Sequence, residues 1–333
     1  MRIKKYKPKD ALPSEFVTLI KKKYREEKNF DSFFSDFQKA YSFCVNNPNT
    51  TFIPIALFEN KQLVAHIALI VDKRLPKNEA FFGFFETEQD LSVFKLIWQN
   101  LIAEAKKMSL SRLLGPVNGS IWHQYRCIKK TDGSAYFKSE PLSEVYYYKL
   151  LSQMKPITEV SYYSASREKF DKVMEIIQTE FGKLEVAGFN IKELKSVSYE
   201  QLLSVAEISR IVFNNSWGYT DLNEKEFLQL YSLDKLKTHL NSLYLLYKDK
   251  QIIGYCGTSK EDKTLILKTI CILPKYQGLG LGNALAYKIH LDAQKMGFKK
   301  IIYALIREGN KINNFPKDDV LIFRRYAAFE FKI

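Results

Sequence analysis

The chain has 333 residues, 46% of them hydrophobic and 26% charged. These are the proportions of an ordinary globular protein, and they exclude wholesale disorder, collagen-like repeats and a membrane-embedded bundle. At roughly 100–200 residues per domain the length accommodates two domains, each able to bury a core. The formal charge of +14 invites a nucleic-acid reading. It comes, however, from 41 lysines against 10 arginines, whereas phosphate recognition favours arginine forks. The lysines are scattered, and no stretch reaches the five or six like charges of a basic arm. A lysine-rich surface that attracts anionic ligands is expected, and a nucleic-acid partner is not.

Cys44, Cys127, Cys256 and Cys271 show no CxxC spacing, so neither a disulfide framework nor a zinc site is expected, and no metal. Residues 1–8 lack the apolar core of a signal peptide. The longest apolar run, 63–71, is about half a membrane span and is interrupted by His66. A cytoplasmic protein with no membrane partner is the expectation.

In chain order, residues 14–41 read as helical, followed by strands at 51–58, 63–72 and 79–86 joined by short polar turns. Thr87 and Asp90 suit an N-cap. In 91–108, Phe94, Ile97, Trp98, Leu101, Ala105 and Met108 fall on one helical face. A short strand at 112–116 closes this set. A polar-aromatic loop, 115–126, follows; His123 and Cys127 are four apart in it, too few groups for a metal site. Residues 146–151 and 157–165 read as a closing helix and strand, and 166–184 as a connecting helix.

The second half repeats the order. A strand at 190–194 leads to helices at 199–214 and 223–240, then strands at 242–248, 251–259 and 264–273. A helix at 282–296 and a strand at 299–306 complete it. Hairpin strands followed by a crossover helix predict a mixed α/β (α+β) architecture. The expected division is 1–166, a connector at 167–184, and 185–333.

The most informative stretch lies between the last hairpin strand and the long helix of the second half. An apolar strand meets Pro274, then Gln277, Gly278, Leu279, Gly280, Leu281, Gly282 and Asn283. Glycines there let consecutive N–H groups point into one cavity, and the helix N-terminus adds its positive dipole end, a geometry that binds phosphate oxygens. The dinucleotide fingerprint fails because Asn283 stands at its third glycine, and the G-K-[ST] of a P-loop is absent. What fits is Q/R-x-x-G-x-G/A, with Gln277, Gly280 and Gly282 at its defining places.

On these residues the second half, from about 186 to 333, resembles the GNAT (GCN5-related N-acetyltransferase) superfamily, and the chain reads as two GNAT-like domains, each a mixed, mostly antiparallel sheet flanked by helices. The resemblance implies acetyl-CoA as cosubstrate, its pyrophosphate on the N–H groups of Gln277, Gly278, Gly280, Leu281 and Gly282, with Leu279 and Asn283 in the same turn. It implies that Ile270 and Ile272 pair with the pantetheine arm and that the Ile272 N–H polarises the thioester carbonyl. Asn310, with Asn313 and Asn314 as rivals, would steady the arm. Many members carry a basic carboxylate on the strand before the turn; residues 265–269 offer none. Glu226, with its neighbour Glu224, is the nearby candidate, and a helix N-terminal charge pair is its plain alternative. Tyr326 is a candidate acid, although it lies in a strand-like run rather than a helix. Trp217 and Tyr219 would line the acceptor pocket. His239, His290 and Cys271 read as packing groups.

The first half offers acidic residues, Glu86, Glu88 and Asp90, where the second has its glycines. It reads as a degenerate unit that does not bind CoA. The leading expectation is therefore transfer of an acetyl group from acetyl-CoA to an amine of a small molecule or peptide, by a monomer or homodimer. An aminoacyl-tRNA-dependent transferase of Fem type and a non-catalytic acyl-CoA-binding module are the alternatives.

Overall fold

In a computed structural model the described residues are 1–175, 178, 187–231, 242–310 and 319–333. His239, Asn313, Asn314, most of the connector's second half and residues 232–240 of an expected helix lie outside them. The chain packs as two units: Met1–Tyr162 with Trp217–Thr220 and Arg324–Ile333, and Tyr163–Ser216 with Asp221–Phe323.

The first unit holds β1 (Arg2–Lys5), α1 (Ser14–Tyr24), α2 (Phe30–Asn46), β2 (Thr50–Glu59), β3 (Gln62–Asp72), β4 (Glu79–Thr87), α3 (Leu91–Lys107), β5 (Arg112–Gly115), β6 (Cys127–Thr131) and α4 (Tyr146–Ser152). The single helix expected over 14–41 is two, parted at Asn29, whose φ of 70° is left-handed. Strands β1 to β4 pair antiparallel in order, and β5 joins β4 in parallel across the α3 crossover. Alternation along β3 and β4 splits the apolar residues between two cores. Ile67, Leu69, Ala80 and Phe82 pack towards Trp98 and Leu101 of α3. Ala68, Ile70, Phe81 and Phe84 pack towards Phe37 and Tyr41 of α2.

The second unit begins inside β7 (Thr158–Arg167) and continues through β8 (Phe189–Leu194), α5 (Tyr199–Phe213), α6 (Glu224–Leu230), β9 (Ser242–Lys248), β10 (Gln251–Glu261) and β11 (Thr264–Ile272). A 3₁₀ turn (Pro274–Tyr276), α7 (Leu281–Lys295) and β12 (Lys300–Arg307) follow. Its sheet order is β8-β9-β10-β11-β12, with β11 and β12 parallel and the rest antiparallel. Leu265, Leu267, Ile301 and Tyr303 meet Leu285, Ile289 and Ala293 of α7 in its core.

The units do not part as a linear division at 166 and 185 would have them. The start of the expected connector belongs to the second unit, because Phe170 and Val173 pack with residues of that unit and of α7. The last strand, β13 (Leu321–Lys332), ends in the first unit. Its residues 329–332 pair with β5, its residues 324–327 pair with β6, and Phe329 and Phe331 enter the α3 core. Arg324 and Glu140, both buried, form an ion pair at 2.6 Å that ties this strand to the loop before α4.

Candidate active site

Strand β11 pairs with β10 along its whole length, but with β12 only from Thr264 to Leu267. Lys268 is the extra residue of a bulge, and there the two parallel strands part. Beyond it the register decides where the backbone points. The Leu273 N–H donates to Ile253 O at 2.9 Å, which makes Leu273/Ile253 a hydrogen-bonded pair. Antiparallel pairs alternate, so Ile272 opposite Gly254 and Ile270 opposite Cys256 are the non-hydrogen-bonded pairs. The N–H and C=O groups of Ile270 and Ile272 therefore face away from β10, on the side that pairing with β12 leaves after Leu267. Gly254 permits this register: a Cβ there would lie 2.6 Å from Cys271 O.

The strand runs directly into the turn. Gly278 and Gly280 have φ of 86° and 78°, a conformation that side chains disfavour. Gly280 is the N-cap of α7 and brings no side-chain cap, and the first turn holds no acidic residue. The Ala284 N–H takes Gly280 O at 3.1 Å, so the N–H groups of Leu281, Gly282 and Asn283 precede the first intrahelical bond. Leu279 is 53% exposed at the tip. Gln277 departs from expectation: its N–H donates to Pro274 O at 3.1 Å and so closes the 3₁₀ turn. Its side chain turns back instead, Nε2 donating to Ile272 O at 2.9 Å.

Other expected site residues fall elsewhere. Tyr326 belongs to the first unit, is wholly buried and donates its hydroxyl hydrogen bond to Glu140. A phenol so enclosed has no path to a departing thiolate, and the acid role is withdrawn. Glu226 is the return half of a capping box, accepting from Asn223 N–H at 2.9 Å while Asn223 Oδ1 accepts the Glu226 N–H. Glu224 accepts from the Tyr199 hydroxyl. Both stand in the first turn of α6, the plain reading of the pair, and Glu226 completes its cap. Trp217 and Tyr219 also belong to the first unit. Trp217 Nε1 donates to Glu330 at 2.8 Å and its ring stacks on Tyr125, while Tyr219 meets Trp122 edge-on. They pack on the polar-aromatic loop. Asn310 closes the turn after β12 with its N–H on Arg307 O at 3.2 Å.

His290 and Cys271 are packing groups. Burial pushes the His290 imidazole down to about 4, so it is neutral. Its Nδ1 faces Ala286 O at 2.7 Å and must donate, which leaves Nε2 to accept from the Tyr303 hydroxyl at 2.6 Å. Burial holds the Cys271 thiol up at about 12, far from a nucleophile's range.

The first unit has the same parting and fills it. Strand β4 pairs with β5 only over Glu79–Phe81. The Val117 N–H then donates to Phe82 O at 2.8 Å, and Asn118 Oδ1 accepts the Phe84 N–H at 2.7 Å. Gly83 makes room for this segment, since a Cβ there would sit 1.9 Å from Val117 O. Further along, Thr87 O accepts from Tyr146 Oη at 2.7 Å and Lys23 Nζ at 2.9 Å, and its N–H reaches Tyr147 Oη at 3.3 Å. The helix end is closed as well: Asp90 Oδ1 accepts the Ser92 N–H at 2.6 Å and the Val93 N–H at 3.3 Å. Sequence reasoning missed Val117, Asn118 and Lys23. Gly83 inside a phenylalanine-rich strand was the available signal, because such a glycine marks a close backbone approach.

Residues 203–314 match the model of the acetyltransferase (GNAT) family. The match covers about a third of the chain, within its second half. Among solved structures it is similar to a tandem GNAT protein from the clavulanic acid biosynthesis pathway, with a TM-score of 0.58 at 10% identity, covering 99% of this chain and 98% of that one. A GCN5-related N-acetyltransferase from Sphaerobacter thermophilus gives 0.52 at 9% identity, over 99% and 95%. Another from Kribbella flavida gives 0.54 at 8%, over 98% and 71%. At these identities the likeness is one of fold. None of the curated proteins compared with this sequence matches it.

Proposed function

We propose that the second unit binds acetyl-CoA and transfers its acetyl group to an amine of a small molecule or peptide. The observation that carries this reading is one continuous edge. The outward backbone groups of Ile270 and the outward Ile272 N–H lead into a glycine turn and a helix N-terminus without a side-chain cap, the Ile272 oxygen being taken by Gln277 Nε2. A pantetheine arm, with its two amides, would add to β11 as a short strand, and the pyrophosphate would take the N–H groups of Leu281, Gly282 and Asn283. Gly278 and Gly280 keep side chains out of that place, and Asn310 lies in the turn after β12, on the family's expected path for the arm.

In the reaction the amine nitrogen attacks the thioester carbonyl carbon, the carbonyl becomes an oxyanion, and collapse breaks the C–S bond and releases CoA as thiolate, while the proton on the attacking nitrogen passes to solvent water, which returns one to the thiolate. Ile272 lies against the first turn of α7, a pantetheine arm short of that oxyanion, so the donor suited to it is a backbone N–H farther up β11. Strand β11 carries no carboxylate and Glu226 is committed to its cap. The chain's own contribution is accordingly orientation of the two reactants and polarisation of the carbonyl. The first unit, whose equivalent edge is filled by its own residues, adds no second site.

Isothermal titration with acetyl-CoA and CoA tests this. Binding at sub-millimolar ligand with one site per chain is expected. No binding removes the reading, and two equivalent sites remove the assignment to the second unit.

A further inference from the structure

Resting on the acyl-CoA reading, we propose that Lys268, at the bulge where β11 leaves β12, selects the acceptor: with the hydroxyls of Thr269 and Ser259 it takes a carboxylate, so the acetylated amine belongs to a free amino acid rather than to a simple amine or polyamine.

The bulge decides which way these side chains face. Leu265 and Leu267 pack in the α7 core, and Ile270 packs there too. In a plain strand residues 267 and 270 would point to opposite faces. The extra residue at 268 returns Ile270 to the α7 side and leaves Lys268 and Thr269 together on the other face. Tyr255 marks that face, its hydroxyl 2.7 Å from Ser209 Oγ of α5. Gly257 and Ser259 follow it along β10 on the same side. Ser259 pairs with Ile266, which makes it the diagonal neighbour of Lys268, about 7–8 Å away and within reach of a long side chain. Gly257, opposite Thr269, puts no side chain between them. Ser259 is 3% exposed and its Oγ has no hydrogen-bond partner, a cost that a bound acceptor oxygen would remove. Lys268 is exposed and Thr269 half-buried, so a ligand has access.

The bulge also lies where the thioester would be presented. Residues 268 and 272 are about 13 Å apart along a strand that rises roughly 3.3 Å per residue. An arm that starts at the α7 N-terminus and runs back past Ile272 and Ile270 therefore ends at the parting. There β11 offers an ammonium and no carboxylate, which repels a cationic amine and attracts an anion. One ammonium with two hydroxyls matches the single charge and two oxygens of a carboxylate.

The test offers a panel of free amino acids, each paired with the amine left when its α-carboxylate is removed, lysine with cadaverine for example. Acetylation is followed as CoA release, and acetyl-CoA binding by the wild type is titrated alongside. The best amino acid should exceed its decarboxylated partner about tenfold in kcat/KM, the worth of one charge-assisted hydrogen bond. Lys268→Met should abolish that preference, and Lys268→Glu should invert it. Ser259→Ala, which removes a hydroxyl unpartnered in the free protein, should raise KM for the amino acid without lowering thermal stability. A wild type that prefers the decarboxylated amines, or a preference that survives Lys268→Met, overturns the proposal and leaves the acyl-CoA reading in place. So does a protein that binds acetyl-CoA but acetylates no amino acid. A wild type that does not bind acetyl-CoA overturns both.

Discussion

The two units build the same junction and finish it differently. In each, a hairpin strand parts from its parallel neighbour and the chain turns into a long crossover helix. In the second unit, among the described residues, the parted edge runs on through Ile270 and Ile272, with Gln277 Nε2 on Ile272 O, to the N-terminus of α7, which no side chain caps. In the first, Val117, Asn118, Tyr146, Tyr147 and Lys23 take the corresponding backbone groups of β4, and Asp90 caps α3. The same junction can therefore be left parted or filled, and a handful of side chains and one loop decide which.

The strongest way to break the comparison is to close the open edge. Gly280→Glu forces a side chain onto a φ of 78° and puts a carboxylate at the end of α7. Acetyl-CoA affinity should fall at least 100-fold in titration, with the first unit's thermal transition unmoved. Retained affinity would mean that the turn is not the phosphate cradle. The reverse experiment disturbs the filled edge. Gly83→Val drives a side chain into Val117 O, where even a Cβ would stand at 1.9 Å. A loss on the order of 3 kcal/mol in denaturant unfolding is expected, from overpacking against backbone that cannot give.

Glu86 sharpens the comparison through pH. Its carboxyl lies within the filled edge, accepting from Tyr24 Oη at 3.0 Å and Tyr147 Oη at 2.6 Å. Lys23 of α1 and Glu144 before α4 act on it from nearby. Burial raises it from 4.5 to about 7. Because the folded value is the higher one, the group's contribution is intact below the unfolded value. It is lost as pH rises between 4.5 and about 7, by about 3 kcal/mol at 1.36 kcal/mol per unit. Glu86→Gln should flatten that part of the stability profile, read as the difference between wild-type and variant melts across the range. An unchanged slope would show that Glu86 is ionised throughout. The smallest effect belongs to Asn118→Ala, which strands the Phe84 N–H and should cost about 1–3 kcal/mol. Acetyl-CoA stoichiometry should stay at one, since Val117 and the α4 tyrosines still hold the edge; a second site would show that Asn118 alone excludes the ligand.

Much of the fold could be read beforehand, because β-hairpins and amphipathic helices announce themselves locally through alternation and the 3.6-residue period. The glycine turn was legible for the same reason: strand, Pro274, Gln277 and the glycines are contiguous. Gln277 shows the limit even there, since which of its amides, backbone or side chain, serves the turn depends on the 3₁₀ geometry. What failed were assignments over distance. Tyr326 was expected beside the thiolate, but the last strand pairs with β5 and β6 in the first unit. The loop that Trp217 and Tyr219 touch was not foreseen either, since Tyr125 and Trp122 lie about a hundred residues away in sequence. Glu226 looked like a base because a carboxylate three residues after Asn223 reads equally as acid–base chemistry and as a capping box.

The claim that only one of two like junctions is open is tested most directly by hydrogen exchange with and without saturating acetyl-CoA. Protection should rise at 268–272 and 278–283 and stay unchanged at 82–87 and 116–118. Ligand-induced protection at 82–87, or none at 268–272, would contradict it.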